Sequence, residues 1–307
     1  MIYKGDFKVP EKILNQTICL KEYIIEKDYE RINQLQKLCS SEDKVNLKLE
    51  LDYRLNVAKN SKVAIKNINE FFYYVEETLV AYLCISSFGR NLGEINGVTH
   101  PAWRKKGFFN KLFKLAIEEC QKRNFSKILL LTDGKSNLGT EFIKAVGGNY
   151  DFSEYRMEQH GEASLEKQNS VCLRKAGKLD RKEIGRQNAL YFNDIEEATE
   201  EGELLEIDEE TPNNFTYVVE LSKEVIGKIK IEYTDTSAFI YGFGILPDFR
   251  GKGYAKDIMN GILGTALQKN VRTAYLQVAA GNLPAEKLYD KLGFKEAYRY
   301  WYRKLEK

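Results

Sequence analysis

The chain is short of the residues from which metal sites, disulfide frameworks and membrane spans are built. Its 307 residues contain two histidines, His100 and His160, and neither has a second ligand-type residue at helical or hairpin spacing. A metal centre therefore has almost no material, and none is expected. The five cysteines, Cys19, Cys39, Cys84, Cys120 and Cys172, are odd in number, scattered and without a CxxC pair. Each lies in an apolar stretch, so buried, reduced thiols in a cytoplasmic protein are expected. No apolar run approaches the ~20 residues of a membrane helix. The opening MIYKGDFKVPEKIL mixes charges with apolar positions and lacks a small-residue cleavage site, so no secretion signal is expected. A formal charge of +2, with no basic stripe and interleaved aromatics, gives nucleic acid little to bind.

What is there is globular: 43% hydrophobic and 30% charged residues. The length is about twice that of an ordinary domain, which predicts two cores. A repeat supports this. Residues 101 to 147 align with 247 to 293 without a gap, at a constant offset of 146 (247 − 101). Pro101, Arg104, Lys106 and Gly107 fall on Pro247, Arg250, Lys252 and Gly253, while Asn124, Leu130 and Gly147 fall on Asn270, Leu276 and Gly293. Between these landmarks Leu112, Phe113, Ala116, Ile117 and Cys120 match Ile258, Met259, Ile262, Leu263 and Ala266, each set on one face of a 3.6-residue period. A β-rich run follows each helix (126 to 133 and 272 to 279), then a short helix ending at glycine.

Upstream, the first half reads as a strand near 17 to 25, helices near 27 to 39 and 42 to 55, a hairpin in FFYYVEETLVAYLCIS and a strand EINGVT. The second reads as a strand near 171 to 176, helix over 179 to 205, a hairpin turning at Ser222, Lys223 and Glu224, and a strand over 238 to 246. Polar EQHGEASLEKQ at 158 to 168 predicts the linker, giving domains 1–162 and 163–307. Each is expected to be α/β of the α+β kind, a mixed and mostly antiparallel sheet flanked by helices.

The most informative segment runs from Ile245 and Leu246 through Pro247, Asp248 and Phe249 to Arg250, Gly251, Lys252, Gly253, Tyr254 and Ala255. It leaves a strand and opens an amphipathic helix. Unpaired N–H groups and partial positive charge at a helix start suit an anion, and glycines let that backbone close on it. A pyrophosphate fits such a nest, with Arg250 and Lys252 adding charge. A tight connection would also explain the glycines. Further on, Asn282 opens the next helix, followed by Ala285, Leu288, Tyr289, Gly293 and Phe294.

R-x-x-G-x-A after a strand end, then N-x-x-A-x-x-L-Y-x-x-x-G-F, resembles motifs A and B of the GNAT acetyltransferase superfamily. The resemblance covers essentially the whole chain as a tandem pair. That layout is similar to mycothiol synthase, without carrying over its substrate. It implies that pantetheine lies in a gap between two splayed central strands, bonded to backbone at Ile245 and Leu246. It also implies that Arg250 to Ala255 bind pyrophosphate, that the Asn282 side chain helps to hold pantetheine, and that Tyr289 is the general acid. A packed aromatic remains the alternative for Tyr289 in a chain of 19 tyrosines. The expected activity is transfer of acetyl from acetyl-CoA to a primary amine of a small molecule or peptide, in the second half. A non-catalytic CoA-binding sensor or scaffold is the alternative.

Backbone N–H at Ile245 or Leu246 can polarise the thioester, but no base stands out. Glu220 and Glu232 lie on neighbouring strands and Tyr241 on the fourth, and the strand that often carries the family's glutamate has none. Asp194 to Glu210 holds ten carboxylates, either a solvated face or an attraction for a cationic amine. The first half departs from the motifs. Phe109 replaces Ala255, Ser136 replaces Asn282, Gly139 replaces Ala285, Ile143 replaces Tyr289 and Gly148 replaces Phe294. Glu94 is a possible base or a surface glutamate. This half is expected to be structural, or to help shape the acceptor cleft, with residual CoA binding left open.

Overall fold

A computed structural model describes residues 15–56, 66–87, 91–160, 171–192, 213–234 and 236–305. The chain forms two compact units, one of residues up to Asp151 together with those from Trp301, the other of Phe152–Tyr300.

In the first unit β1 (Gln16–Lys21), β2 (Glu70–Val75), β3 (Thr78–Ser86), β4 (Leu92–Thr99) and β5 (Lys127–Asp133) lie side by side in that order. All pairs are antiparallel except β4 and β5. The helices are α1 (Glu26–Asp43), α2 (Leu51–Asn56), α3 (Phe108–Lys122) and α4 (Asn137–Ala145). Because strand side chains alternate, β2 feeds two cores. Phe71, Tyr73 and Val75 meet Leu112, Phe113, Ala116 and Cys120 of α3, while Phe72 meets Ile32, Leu35 and Cys39 of α1. The helix expected over 42 to 55 forms only as α2. Lys44 and Glu50 adopt φ of 53° and 52° and leave residues 44–50 as an irregular strap.

The second unit continues β6 (Gly148–His160) and adds β7 (Cys172–Lys175), α5 (Arg181–Phe192), β8 (Asn214–Leu221), β9 (Glu224–Tyr233), β10 (Ser237–Ile245), α6 (Tyr254–Gln268), β11 (Thr273–Ala279), α7 (Leu283–Lys291) and the start of β12 (Lys295–Leu305). Its strand order is β6-β11-β10-β9-β8-β7, with β10 and β11 the parallel pair. β6 pairs antiparallel with β11 from Glu154 to His160 and gives Met157 to the core under α6. Residues 158–160, read as linker from sequence, are therefore strand. The rest of that segment, the end of the helix expected to reach 205 and the acidic run 194 to 210 lie outside the described residues. At the far end of β12, Tyr302 accepts from Lys48 Nζ at 2.8 Å and Leu305 packs into the first unit's core.

The repeat survives in the backbone. Positive φ recurs at the same offset in Glu76 and Ser222 (51° and 51°), Lys105 and Gly251 (59° and 75°), Gly107 and Gly253 (82° and 89°), Asn124 and Asn270 (55° and 60°) and Gly147 and Gly293 (87° and 84°). Left-handed turns tolerate few residue types, so they preserve a repeat that side chains have blurred. All five cysteines are free. Cys39, Cys84 and Cys120 are buried as expected, but Cys172 is exposed, because it lies on β7 at the end of its sheet. No described helix is long and apolar enough to cross a membrane.

The first unit is locked by an ion pair that sequence gives no hint of. Arg54 (6% exposed) donates to Glu70 (2% exposed) at 2.7 Å, and to the Leu49 and Ile85 carbonyls. The Tyr82 hydroxyl donates to the same carboxylate. Truncating one partner strands a buried charge, at about 3–5 kcal/mol. Arg54→Met should lower the unfolding free energy by about that amount in urea denaturation, and Arg54→Met with Glu70→Gln should recover part of it.

Candidate active site

β10 and β11 pair only from Ser237–Thr273 to Ile240–Leu276, and beyond that point they part. Just there β10 leaves its register with β9. Tyr241 faces Lys230 and Gly244 faces Lys228, so three steps along β10 match two along β9. This is a β-bulge, with Gly242 at φ 59°, a conformation that glycine takes at little cost. In the first unit β4 and β5 part at the equivalent place, after Ile95 and Leu130, but β4 keeps unbroken register with β3 from Glu94 to Thr99. The bulge belongs to the second unit alone.

Two side chains brace it. Lys228 of β9 is 5% exposed, and its Nζ donates to the Gly242 carbonyl at 2.9 Å. The ring of Tyr191 from α5 lies so close to Gly244 that any Cβ there would stand 2.2 Å from it. Lys228 Nζ is 5.9 Å, and the Arg250 guanidinium 6.0 Å, from the centre of that ring. Burial, aided by Lys230, pushes the Lys228 ammonium down to about 8. In the sequence Lys228 stands as one polar residue in a strand. The available signal was its alternation with Ile229 and Ile231, which puts Lys228 and Lys230 together on the face opposite the core.

The loop after β10 has the expected shape. Gly253, at φ 89°, caps α6, and a Cβ at Gly251 or Gly253 would meet nothing within 4 Å. Positive φ, rather than crowding, demands glycine, and the space above the start of α6 is open to an anion. Arg250 folds back, its Nε donating to the Ile245 carbonyl at 2.8 Å, as Arg104 does to Thr99 at 3.2 Å. It braces the loop from within. Lys252 lies 5.4 Å from the centre of the Phe249 ring, and Tyr254 and Ala255 pack partly against the core.

At the strand end the Leu246 N–H donates to Ile226 at 2.9 Å. That donor, one of the two expected to polarise a thioester, is committed to the ladder. The Asn282 side chain caps α7, Oδ1 accepting from Ala285 N at 3.3 Å, which leaves its amide N–H groups for other partners. Ser136 performs the same cap in the first unit, accepting from Gly139 N at 3.1 Å. Tyr289 is 8% exposed and packs edge-on to Phe294 at 5.9 Å, and burial raises its phenol to about 12. Of the possible bases, Glu220 is paired with Arg174 at 2.8 Å, Tyr241 donates to Asn214 at 3.0 Å, and Glu232 is exposed on β9 opposite Phe239 and Asn214.

The equivalent gap in the first unit is filled. Phe109 presses its ring on Gly97, where a Cβ would lie 2.7 Å from it, and stands edge-on to Phe142. The strap 44–50 crosses both strand ends. Asn46 N donates to Asp133 at 2.7 Å, and Asn96 donates to the Lys48 carbonyl at 2.5 Å. Arg104 is held by Asp43 in a two-point ion pair. Glu94 is half-buried on β4, and Ile143, in the place of Tyr289, is core.

The sequence model of the acetyltransferase (GNAT) family matches the chain twice, over residues 31–142 and 184–294. An uncharacterized N-acetyltransferase of Bacillus subtilis (strain 168), YycN, is 37% identical over 92 residues, 28% of this chain and 59% of that protein. The chain thus spans less than two thirds of that relative's length. Among solved structures, a GCN5-related N-acetyltransferase from Sphaerobacter thermophilus is similar with a TM-score of 0.70 and 15% identity, over 94% of this chain and 95% of that one. A tandem GNAT protein from the clavulanic acid biosynthesis pathway is similar with a TM-score of 0.66 and 12% identity, over 94% and 98%. At such identities the likeness is one of fold.

The depressed Lys228 has a consequence for stability. Its folded value near 8 lies below the ordinary 10.5, so between those pH values the unfolded chain holds a proton that the folded chain has released. Stability from this group rises with pH across that window, and below about pH 8 the buried charge opposes folding. Lys230 and the Tyr191 ring, 5.9 Å from Nζ, face it. Urea unfolding of the wild type and Lys228→Met at pH 7.5, 9 and 10.5 should show the wild type gaining on the variant by about 1 kcal/mol per pH unit.

Proposed function

The chain belongs to the acetyltransferase (GNAT) family in both of its halves, and we propose that its second half transfers acetyl from acetyl-CoA to a primary amine of a small molecule or peptide. One observation carries this reading: in the second unit alone, the gap between parting parallel strands is entered by a bulge and lies next to a glycine turn that opens a helix. In the first unit Phe109 and the strap fill the same place, which supports a structural role for that half.

In this reading the pyrophosphate lies over Gly251 to Ala255, and the acyl arm enters between β10 and β11, near Ile245, Leu246 and the amide of Asn282. The neutral amine nitrogen attacks the thioester carbon, an oxyanion forms, the nitrogen gives up a proton to water, and the carbon–sulfur bond breaks with its electron pair on sulfur, leaving the amide. Tyr289 then gives its proton to the thiolate and regains one from water. Burial holds that phenol near 12, so it stays protonated through the neutral range but is a weaker acid than a free tyrosine. An amine of ordinary pKa is neutral in only about one molecule in 10³ at pH 7, so the acceptor must lose its proton to water or to a group on the substrate side. The free cysteines and the absence of a membrane-crossing helix among the described residues support a cytoplasmic setting.

A second reading, a CoA-binding protein without turnover, draws support from the candidate carboxylates: Glu220 is engaged by Arg174 and Glu232 is away from the bulge. Thiol release from acetyl-CoA, measured against a panel of amines, polyamines and peptide N-termini, separates the two. Release above the rate of hydrolysis with at least one acceptor supports transfer, and tight binding without release supports the sensor.

Two variants test the parts. Tyr289→Phe should leave folding and acetyl-CoA affinity nearly unchanged and lower kcat by about 10²-fold, the lower end of general-acid catalysis, because a thiolate is already a fair leaving group. Wild-type kcat from pH 6 to 9 would reduce the residue to packing. Gly253→Val should weaken acetyl-CoA binding at least about tenfold in calorimetry, whereas Gly107→Val should leave it unchanged. Equal losses would mean two working sites.

A further inference from the structure

We infer that Lys228 is a positioning residue of the transfer site: its hydrogen bond to the Gly242 carbonyl fixes the Gly242–Phe243 peptide and directs the Phe243 N–H at the thioester carbonyl of acetyl-CoA. This rests on the proposed transfer reaction and assigns the oxyanion donor within it.

The geometry leads there in three steps. Leu246 donates to Ile226, so Leu246 and Ile226 form a hydrogen-bonded pair of the β9–β10 ladder. Alternation along an antiparallel ladder makes Gly244 and Lys228 the next such pair, and the backbone groups of Phe243, before it, are turned away from β9. Phe243 has no partner in the register on β9, and pairing with β11 has already ended at Ile240. In a trans peptide the carbonyl and the following N–H point in opposite directions, and the chain has no cis peptide. With the Gly242 oxygen drawn to Lys228 Nζ at 2.9 Å, the Phe243 N–H points to the opposite side, into the gap where the two strands part.

The lysine is costly as mere packing. An ammonium 5% exposed and close to Lys230 opposes folding where an apolar side chain of similar size would not. The repeat provides an internal control. The residue of the first unit aligned with Lys228 (228 − 146) is Tyr82, which faces Val98 as Lys228 faces Gly244. The Tyr82 hydroxyl is turned to Glu70 instead, and β4 beside it runs without a bulge. Tethering lysine and bulge thus occur together in the unit with an open gap and are both missing from the unit whose gap is filled. The tether survives deprotonation, because a neutral amine still donates.

The test uses the full chain with acetyl-CoA and CoA in calorimetry, and the amine panel in thiol release. Only acetyl-CoA carries the carbonyl that the Phe243 N–H would meet. Lys228→Met should leave the Kd of CoA within about threefold, weaken acetyl-CoA relative to CoA by about fivefold or more, and lower kcat by about tenfold or more. Lys228→Arg, which restores a donor, should recover most of the loss, and Lys228→Leu, which also lacks a donor, serves the same comparison if the methionine variant does not fold. Equal affinities and kcat in Lys228→Met would overturn the inference while leaving the transfer reaction standing. An equal loss for CoA and acetyl-CoA would also overturn it, by showing a general collapse of the site. If the wild type binds acetyl-CoA without turnover, the transfer reading fails and the affinity ratio alone decides on Lys228. If the wild type binds neither, both fall.

Discussion

The proposed site depends on one interrupted ladder. A strand in the middle of a sheet has its N–H and C=O groups consumed by its neighbours, and such a strand has no donor for a substrate. β10 escapes this twice: it loses β11 beyond Ile240 because the parallel pair diverges, and it loses its step with β9 between Tyr241 and Gly244. Backbone is freed in the interior of the sheet without a loop or an exposed edge. Freed backbone tends to drift, and here Lys228, Tyr191 and the fold-back of Arg250 hold it from three directions.

The two units are one backbone plan with opposite outcomes. Their left-handed residues, their glycine turns, their helix caps at Asn282 and Ser136 and their arginine fold-backs correspond at a fixed offset. Side chains decide what the plan does. A phenylalanine in place of Ala255 lays its ring on Gly97 of β4, and an isoleucine in place of Tyr289 removes the ionisable group. The first unit then invests its polar groups in rigidity: Arg54 with Glu70 and Tyr82, Arg104 with Asp43, Asn96 with the strap. Such buried networks favour one fixed arrangement once every member is satisfied, as suits a half whose gap is shut.

By itself, the sequence determined what depends on local chemistry. The repeat was legible because glycines, asparagines and helix faces answer to turns and periods within a few neighbours, and the loop from Arg250 to Ala255 was legible because strand, glycines and helix are contiguous. Tertiary structure alone decided what depends on distant partners. That Leu246 is committed to Ile226, that Arg250 turns back on Ile245, that Asn282 caps its own helix, and that β6 pairs with β11 are hydrogen-bond outcomes set by which chains lie side by side. Lys228 is the clearest case. In the sequence it is one charged residue of an alternating strand, and only the extra residue in β10 opposite it brings the Gly242 carbonyl within reach of its amine. A one-residue slip in register moves a whole strand's contacts, and no local pattern records it.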